Sequence, residues 1–374
     1  MSPPPDQTAN AALFQPSSPA RLLSLDALRG FDMFWIVGGE GIVRALPALS
    51  DSGWARFLAA QFEHRVWEGL TFYDLIFPLF VFIVGISTVF SLTRILQERG
   101  RPAAIRRILK RSVLLFLLGV VYSSVPMRGL SDVRLLGVLQ RIALCYLVTG
   151  VLFSTVRWRG MAAAVGVLLV GYWGLMTFVP VPGHGAGDFA EGANLANYID
   201  QRFLPLTKYD GDHDPEGLLS TLPAIATCLL GAFAGGLLKD GRRQGPHKVR
   251  WLLVLGGVGL LLGYVWGLQF PIIKKLWTSS YVLVTAGYSS VLLAVFYQAI
   301  EMWGWRLWAR PFVWIGRNAI TLYLLYPVLA FLVFVGVVHG APGAAAELAA
   351  SLLAAGLVLA VAYALDRRGI YLRL

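Results

Sequence analysis

The apolar residues of this chain fall into blocks of about 20, and no other sequence feature constrains the fold so tightly. A helix rising 1.5 Å per residue needs about 20 apolar residues to cross a hydrocarbon layer roughly 30 Å thick. In lipid each backbone N–H and C=O must find its partner within the segment, so repeated blocks of this length dictate helices. Composition agrees, with 57% hydrophobic and only 14% charged residues and a mean hydropathy of +0.64. That is too little charge to cover a water-facing surface. Candidate membrane helices fall at about 25–46, 73–95, 108–125, 136–155, 161–179, 217–238, 250–268, 279–300, 312–338 and 344–365. The expected fold is an all-α, polytopic integral membrane bundle of about ten helices, with the lipid bilayer as its surroundings.

A net charge of +11 could point to nucleic acid, but the basic residues cluster in short segments between apolar runs, as in cytoplasmic loops. The segments 94–111 and 239–250 set the orientation, with about twice as many Lys and Arg on their side as on the other. Both termini are then expected in the cytoplasm. Residues 1–20, rich in Pro, Ser and Ala and without an apolar core, read as a disordered tail rather than a signal peptide, and 21–374 as one transmembrane domain. The long connections 47–72 and 180–216 lie on the outer face, the second rich in Gly, Asp, Asn and aromatic residues that suit either a hydroxylated ligand or plain solvation. Cys145 and Cys228 sit in apolar runs without ligand-like spacing, so no metal is expected. Small residues at Ala341–Ala350, Ala354, Ala355 and Gly356 permit close helix packing, as a homodimer face or an internal contact.

Ionisable groups within apolar spans cost several kcal/mol unless paired or hydrated, which makes them the informative positions. Asp26, Arg29 and Asp32 share a helix face by their spacing of three; Asp74 opens the second span; Gln140 and Arg141 lie in the fourth; Arg317 and Asn318 interrupt the ninth. These are either ion pairs that fix packing or, for Arg29, Arg141 and Arg317, a basic cavity on the cytoplasmic side that matches phosphate. His64 stands apart from the other histidines, in a polar and aromatic segment at the outer surface with Glu63, Glu68 and Asp74 close in sequence to orient an imidazole.

At these residues the chain resembles the catalytic membrane domain of the heparan-alpha-glucosaminide N-acetyltransferase family. The likeness rests on Ser24-Leu25-Asp26-Ala27-Leu28-Arg29-Gly30, His64 with Trp67-Glu68-Gly69-Leu70-Thr71, Asp74-Leu75-Ile76-Phe77-Pro78, Gly137-Val138-Leu139-Gln140-Arg141, Tyr198-Ile199-Asp200, Tyr209 with Asp214-Pro215-Glu216-Gly217, and Lys275-Leu276-Trp277-Thr278-Ser279-Ser280-Tyr281. The shared order of these blocks is more specific than any one of them. The family implies transfer of the acetyl group of cytosolic acetyl-CoA to a glucosamine amine on the far side of the membrane. With the charge pattern, it nominates His64, Asp74 and Asn318 for the chemistry, Arg29, Asp26, Arg141, Gln140 and Arg317 for coenzyme A, and Trp67, Asp200, Asp214, Glu216, Trp277 and Tyr281 for an amino-sugar or glycan acceptor. His64 falls on the family's active-site histidine, as covalent acceptor or as general base. Tyr326-Pro327 stand where the human enzyme has His-Glu, which bears on glycan specificity. The expectation is a bacterial inner-membrane member without the lumenal N-terminal domain, with His64 on the periplasmic side. Two other classes compete: a transporter or flippase using the same buried charges, and a scaffold tolerant of substitution at Arg29, Asp74, Arg141 and Asn318.

Overall fold

The computed structural model describes residues 22–50, 52–124, 133–337 and 343–372. The expected tail at 1–20 and the small-residue position Ala341 lie outside the described residues. The described residues form helices and isolated bridges, with no strand. This is an all-α polytopic membrane protein. Eight helices among the described residues are long and apolar enough to cross a membrane.

The first expected span is not one helix. Helix α1 (Leu23–Phe34) gives way to a π-turn at Trp35–Gly39, where Val37 leaves helical geometry and Gly38 takes φ 118°. A Cβ-bearing residue disfavours that left-handed region, so glycine permits the break. Short helices α2 (Glu40–Arg44), α3 (Leu46–Leu49) and α4 (Gly53–Gln61) then carry the chain to the segment that holds His64.

Helix α5 (Ile76–Ser124) covers the next two expected spans in one assignment, interrupted at Gly100 (φ 75°, ψ 179°) with Pro102 two residues on. A straight helix would separate Val84 from Leu115 by about 47 Å. Both nevertheless line one cavity, as do Ser87 and Arg111, so the chain doubles back at Gly100. Helices α6 (Val138–Thr155), α7 (Trp158–Phe178), α8 (Leu195–Phe203, within the outer loop), α9 (Thr221–Lys239), α10 (Gly245–Gly267) and α11 (Ser279–Tyr297) follow. The ninth expected span is also divided, because Asn318 (φ −119°, ψ 21°) separates α12 (Arg310–Arg317) from α13 (Ala319–Val337). Helix α14 (Ala344–Arg367) closes the bundle.

Glycines set the closest helix crossings. A Cβ on Gly30 would overlap the carbonyl oxygen of Phe312, and one on Gly316 that of Asp26, so α1 and α12 touch backbone to backbone. Gly85 and Gly231 lock α5 to α9 in the same way, against Cys228 and Phe82. The first crossing brings Arg29 and Arg317 to the same cavity.

Candidate functional site: a His–Asp–Lys cluster over adjoining cavities

Thr71 and Asp74 build the local frame. The Asp74 carboxylate, wholly buried, accepts on Oδ2 from Thr71 N (3.2 Å), Thr71 Oγ1 (3.0 Å) and Arg65 N (3.3 Å). These bonds hold residues 65–71 against the turn that opens α5. Oδ1 meets His64 Nδ1 at 2.8 Å and Lys274 Nζ at 3.1 Å. Tyr281 from α11 anchors the same residue by donating to its backbone oxygen at 2.7 Å. The imidazole stacks on Tyr73, 4.7 Å between centroids, and keeps 53% of its side chain exposed. A carboxylate at Nδ1 favours the proton there and leaves the lone pair on Nε2, which lies 3.5 Å from Lys274 Nζ.

Lys274 comes from the loop before α11. That loop forces Trp277 to φ 52°, which costs an aromatic residue about 1–2 kcal/mol. Thr278 opposes that strain by capping α11 (Tyr281 N) and accepting from Ile273 N at 3.2 Å, while Trp277 Nε1 donates to Thr227 Oγ1 at 3.1 Å. Burial holds the Lys274 ammonium below the usual lysine range, with the Asp74 charge opposing.

A cavity of about 350 Å³ spreads from His64, lined among others by Tyr73, Arg134, Tyr209, Glu216, Lys274 and Trp277. Arg134 forms its far wall, forked onto Asp214 at 2.8 and 2.6 Å and bonded to Glu216. Burial lowers the Arg134 pKa, but the two carboxylates outweigh it and the net shift is upward. Ile36, Phe77, Val138 and Tyr323 line both this cavity and a second, of about 300 Å³, which also touches Arg29, Arg107, Arg111 and Arg317. The second in turn shares Ser91 and Arg107 with an open recess of about 1060 Å³ at the Gly100 turn, carrying Arg94, Arg99, Arg106, Arg107 and Lys110. Three spaces therefore adjoin in series, basic at one end and holding His64 at the other.

The nominated residues divide accordingly. His64 and Asp74 come together, and Glu216 and Trp277 line the same cavity. Asp214 holds Arg134; Tyr281 holds Asp74; Trp67 donates to Phe189 O at 2.9 Å beside the cavity. Asp200 accepts from Leu218 N (2.9 Å) and Asp214 N (3.3 Å), which shapes the turn bearing Glu216, and burial raises its pKa. Arg29 and Arg317 line the second cavity with Asp26 between them: Arg29 Nη1 is 3.3 Å from Asp26 Oδ1 and Arg317 Nε 3.7 Å from Oδ2. Arg141 and Gln140 line none of the three spaces. Arg141 is wholly buried, stacked on Trp277 (4.9 Å) and bonded to Ser220 Oγ (2.5 Å), so it props the wall that carries Trp277. Asn318 lines none of them either; it sits buried at the α12–α13 break. The sequence reading missed Lys274, Arg134, Tyr73, Arg107 and Arg111 as site residues, having counted the four cations only as loop charge.

Among the described residues, Glu191, Asp210 and His213 form the one group of metal-type ligands, within 4.8 Å of each other. Lys275 Nζ already stands 2.8 Å from Glu191 and 3.0 Å from Asp210, supplying positive charge where a cation would bind.

A polytopic helical bundle with a His–Asp pair at one end of a series of cavities and arginines at the other defines a membrane protein whose basic recess and His-bearing cavity adjoin through the bundle. The family described as heparan-alpha-glucosaminide N-acetyltransferase, catalytic, matches residues 21–266, and a family of unknown function, DUF418, matches 232–365. Heparan-alpha-glucosaminide N-acetyltransferase of Homo sapiens is 30% identical over 83% of this chain and 53% of its own length. That of Mus musculus is 30% identical over 85% and 56%. The chain belongs to the heparan-alpha-glucosaminide N-acetyltransferase family, and spans about half the length of these curated relatives.

Proposed function

We propose that this protein is a transmembrane acetyltransferase that passes the acetyl group of cytoplasmic acetyl-CoA to the amine of a glucosamine-type sugar on the outer, periplasmic face of a bacterial inner membrane. The observation that carries this reading is the series of adjoining cavities running from the arginine-rich recess at the Gly100 turn to His64. Guanidinium groups match phosphate oxygens in pairs, so the recess suits the nucleotide phosphates of coenzyme A. Arg111, whose Nε is buried without a partner beside the second cavity, fits an anionic or carbonyl-bearing ligand there. The narrower second space suits the pantetheine arm, which delivers the thioester to the junction at Phe77, Val138 and Tyr323.

At that junction the amine attacks the acetyl carbonyl carbon. A C–N bond forms, the C–S bond breaks, and the amine proton passes to His64 Nε2 and on to the departing thiolate. Asp74 holds the imidazole through Nδ1, so the base needs no reorientation. The same lone pair would serve an acetyl-imidazole route, which trapping the acetylated protein in the absence of sugar distinguishes. Trp277 offers an aromatic face and Glu216 a hydrogen-bonding carboxylate to the sugar.

The test is incubation of purified protein with labelled acetyl-CoA and glucosamine, wild type against His64→Ala, with coenzyme A binding measured in both. The reading expects acetylated sugar from wild type, and binding without turnover from the variant. If neither protein binds acetyl-CoA, the transferase reading fails and transport becomes the question.

A further inference from the structure

We infer that Lys274 is a positioning residue that keeps His64 neutral and poised: its ammonium, seated on the same Asp74 oxygen as His64 Nδ1, opposes a second proton on the imidazole. The inference rests on the transferase reading for its purpose, though not for its physical content.

The geometry is a tight triangle. Asp74 Oδ1 is 2.8 Å from His64 Nδ1 and 3.1 Å from Lys274 Nζ, and the two nitrogens are 2.9 Å apart. A carboxylate paired with a histidine, taken alone, favours the imidazolium. A base that is already protonated cannot accept the amine proton, so a bare His–Asp pair would lose activity toward acid pH. Lys274 changes the balance. One carboxylate offsets one positive charge, and a second cation 2.9 Å from the first is disfavoured by direct repulsion even beside solvent. Burial lowers the Lys274 pKa, and Asp74, with Glu216 further off, works to retain its proton, so its charge depends on the carboxylate it shares with His64.

Among the described residues, the other cations lining the His64 cavity are Arg65, Arg134 and Lys275, and none makes a hydrogen bond or ion pair with Asp74 Oδ1. Tyr73 stacks on the ring as an uncharged phenol. Arg134 is committed to Asp214 and Glu216 across the cavity, and Lys275 to Glu191 and Asp210. Arg65 donates its backbone N–H to Asp74, and Glu63 binds Thr71 through its backbone oxygen, so the charged side chains of His64's own loop make neither contact.

The experiment compares wild type, Lys274→Met and Lys274→Arg by two readouts. In the first, kcat/KM for acetyl transfer is followed against pH. Lys274→Met is expected to move the acid limb up by about one pH unit, so that its activity falls further below wild type at acid pH than near pH 8, by about tenfold well below the limb. Lys274→Arg keeps the charge and is expected to keep the limb in place. The second readout is the NMR titration of the labelled His64 ring, assigned by its loss in His64→Gln. Its midpoint should rise by a similar amount in Lys274→Met. A uniform loss of activity at every pH, or an unmoved or lowered midpoint, overturns the inference. The NMR arm reads it even if no acetyl transfer is found, which separates its failure from that of the transferase reading.

Discussion

Replacing Arg134 with methionine strands a buried carboxylate. The Arg134 side chain is 18% exposed and Asp214 is 0% exposed, and the guanidinium makes two hydrogen bonds to Asp214, at 2.8 and 2.6 Å, besides its contact with Glu216. Methionine fills the volume without the charge. Removing one partner of a buried ion pair costs about 3–5 kcal/mol, chiefly for the charge left behind. Asp214 keeps two backbone donors, Tyr209 N at 3.1 Å and Glu216 N at 2.9 Å, which argues for the lower end, about 3 kcal/mol. Adding Asp214→Asn removes the stranded charge, so the double variant is expected to regain about half of the loss. The assay is unfolding free energy by SDS titration in mixed micelles for all four members of the cycle. A cost below about 1 kcal/mol for Arg134→Met, or strictly additive single effects, would refute the reasoning.

Val138→Trp, at the wall shared by the outer and second cavities, is expected to leave acetyl-CoA affinity within about threefold while turnover falls about tenfold or more; equal losses in both would contradict a junction there. Asp74→Asn should reduce kcat by about 100-fold or more, with coenzyme A binding retained by calorimetry. Gly316→Val should abolish coenzyme A binding by prising α12 from α1 and separating Arg317 from Arg29, whereas Gly174→Ala, which meets open space, should behave as wild type in both stability and binding. Because burial raises the Asp200 pKa, the folded state holds that proton longer than the unfolded chain does. Wild type should therefore lose stability relative to Asp200→Asn as pH rises from the ordinary aspartate range through the raised value; the opposite trend across that window would count against the burial account.

Much of this fold could be read in advance because lipid simplifies the rules. Block length alone marks a spanning helix, and the all-α class follows from backbone hydrogen bonding. The breaks were harder. Gly100 and Pro102 signal a turn in the sequence, but Gly38 lies in a run of apolar and small residues where nothing local distinguishes a tolerated glycine from a π-turn. Within the site, His64 and Asp74 were legible because ten positions separate them and one capped turn brings them together. Lys274 was not, since 210 positions separate it from His64 and only tertiary packing joins them. Arg141 shows the converse: its charge was legible, but its stack on Trp277 and its bond to Ser220, with Nε and Nη1 buried without a partner, come only from tertiary packing. Sequence marks which charges are costly, whereas whether a cavity or a neighbour meets that cost depends on long-range contacts.

The central claim is that the acetyl group crosses from one face of the bundle to the other along the adjoining cavities. Proteoliposomes of one orientation, with labelled acetyl-CoA confined to the side of the Gly100 turn and glucosamine to the side of His64, test it directly. The account predicts acetylated sugar on the His64 side and free coenzyme A on the other, with neither in His64→Ala. Product only when donor and acceptor share a compartment would contradict it.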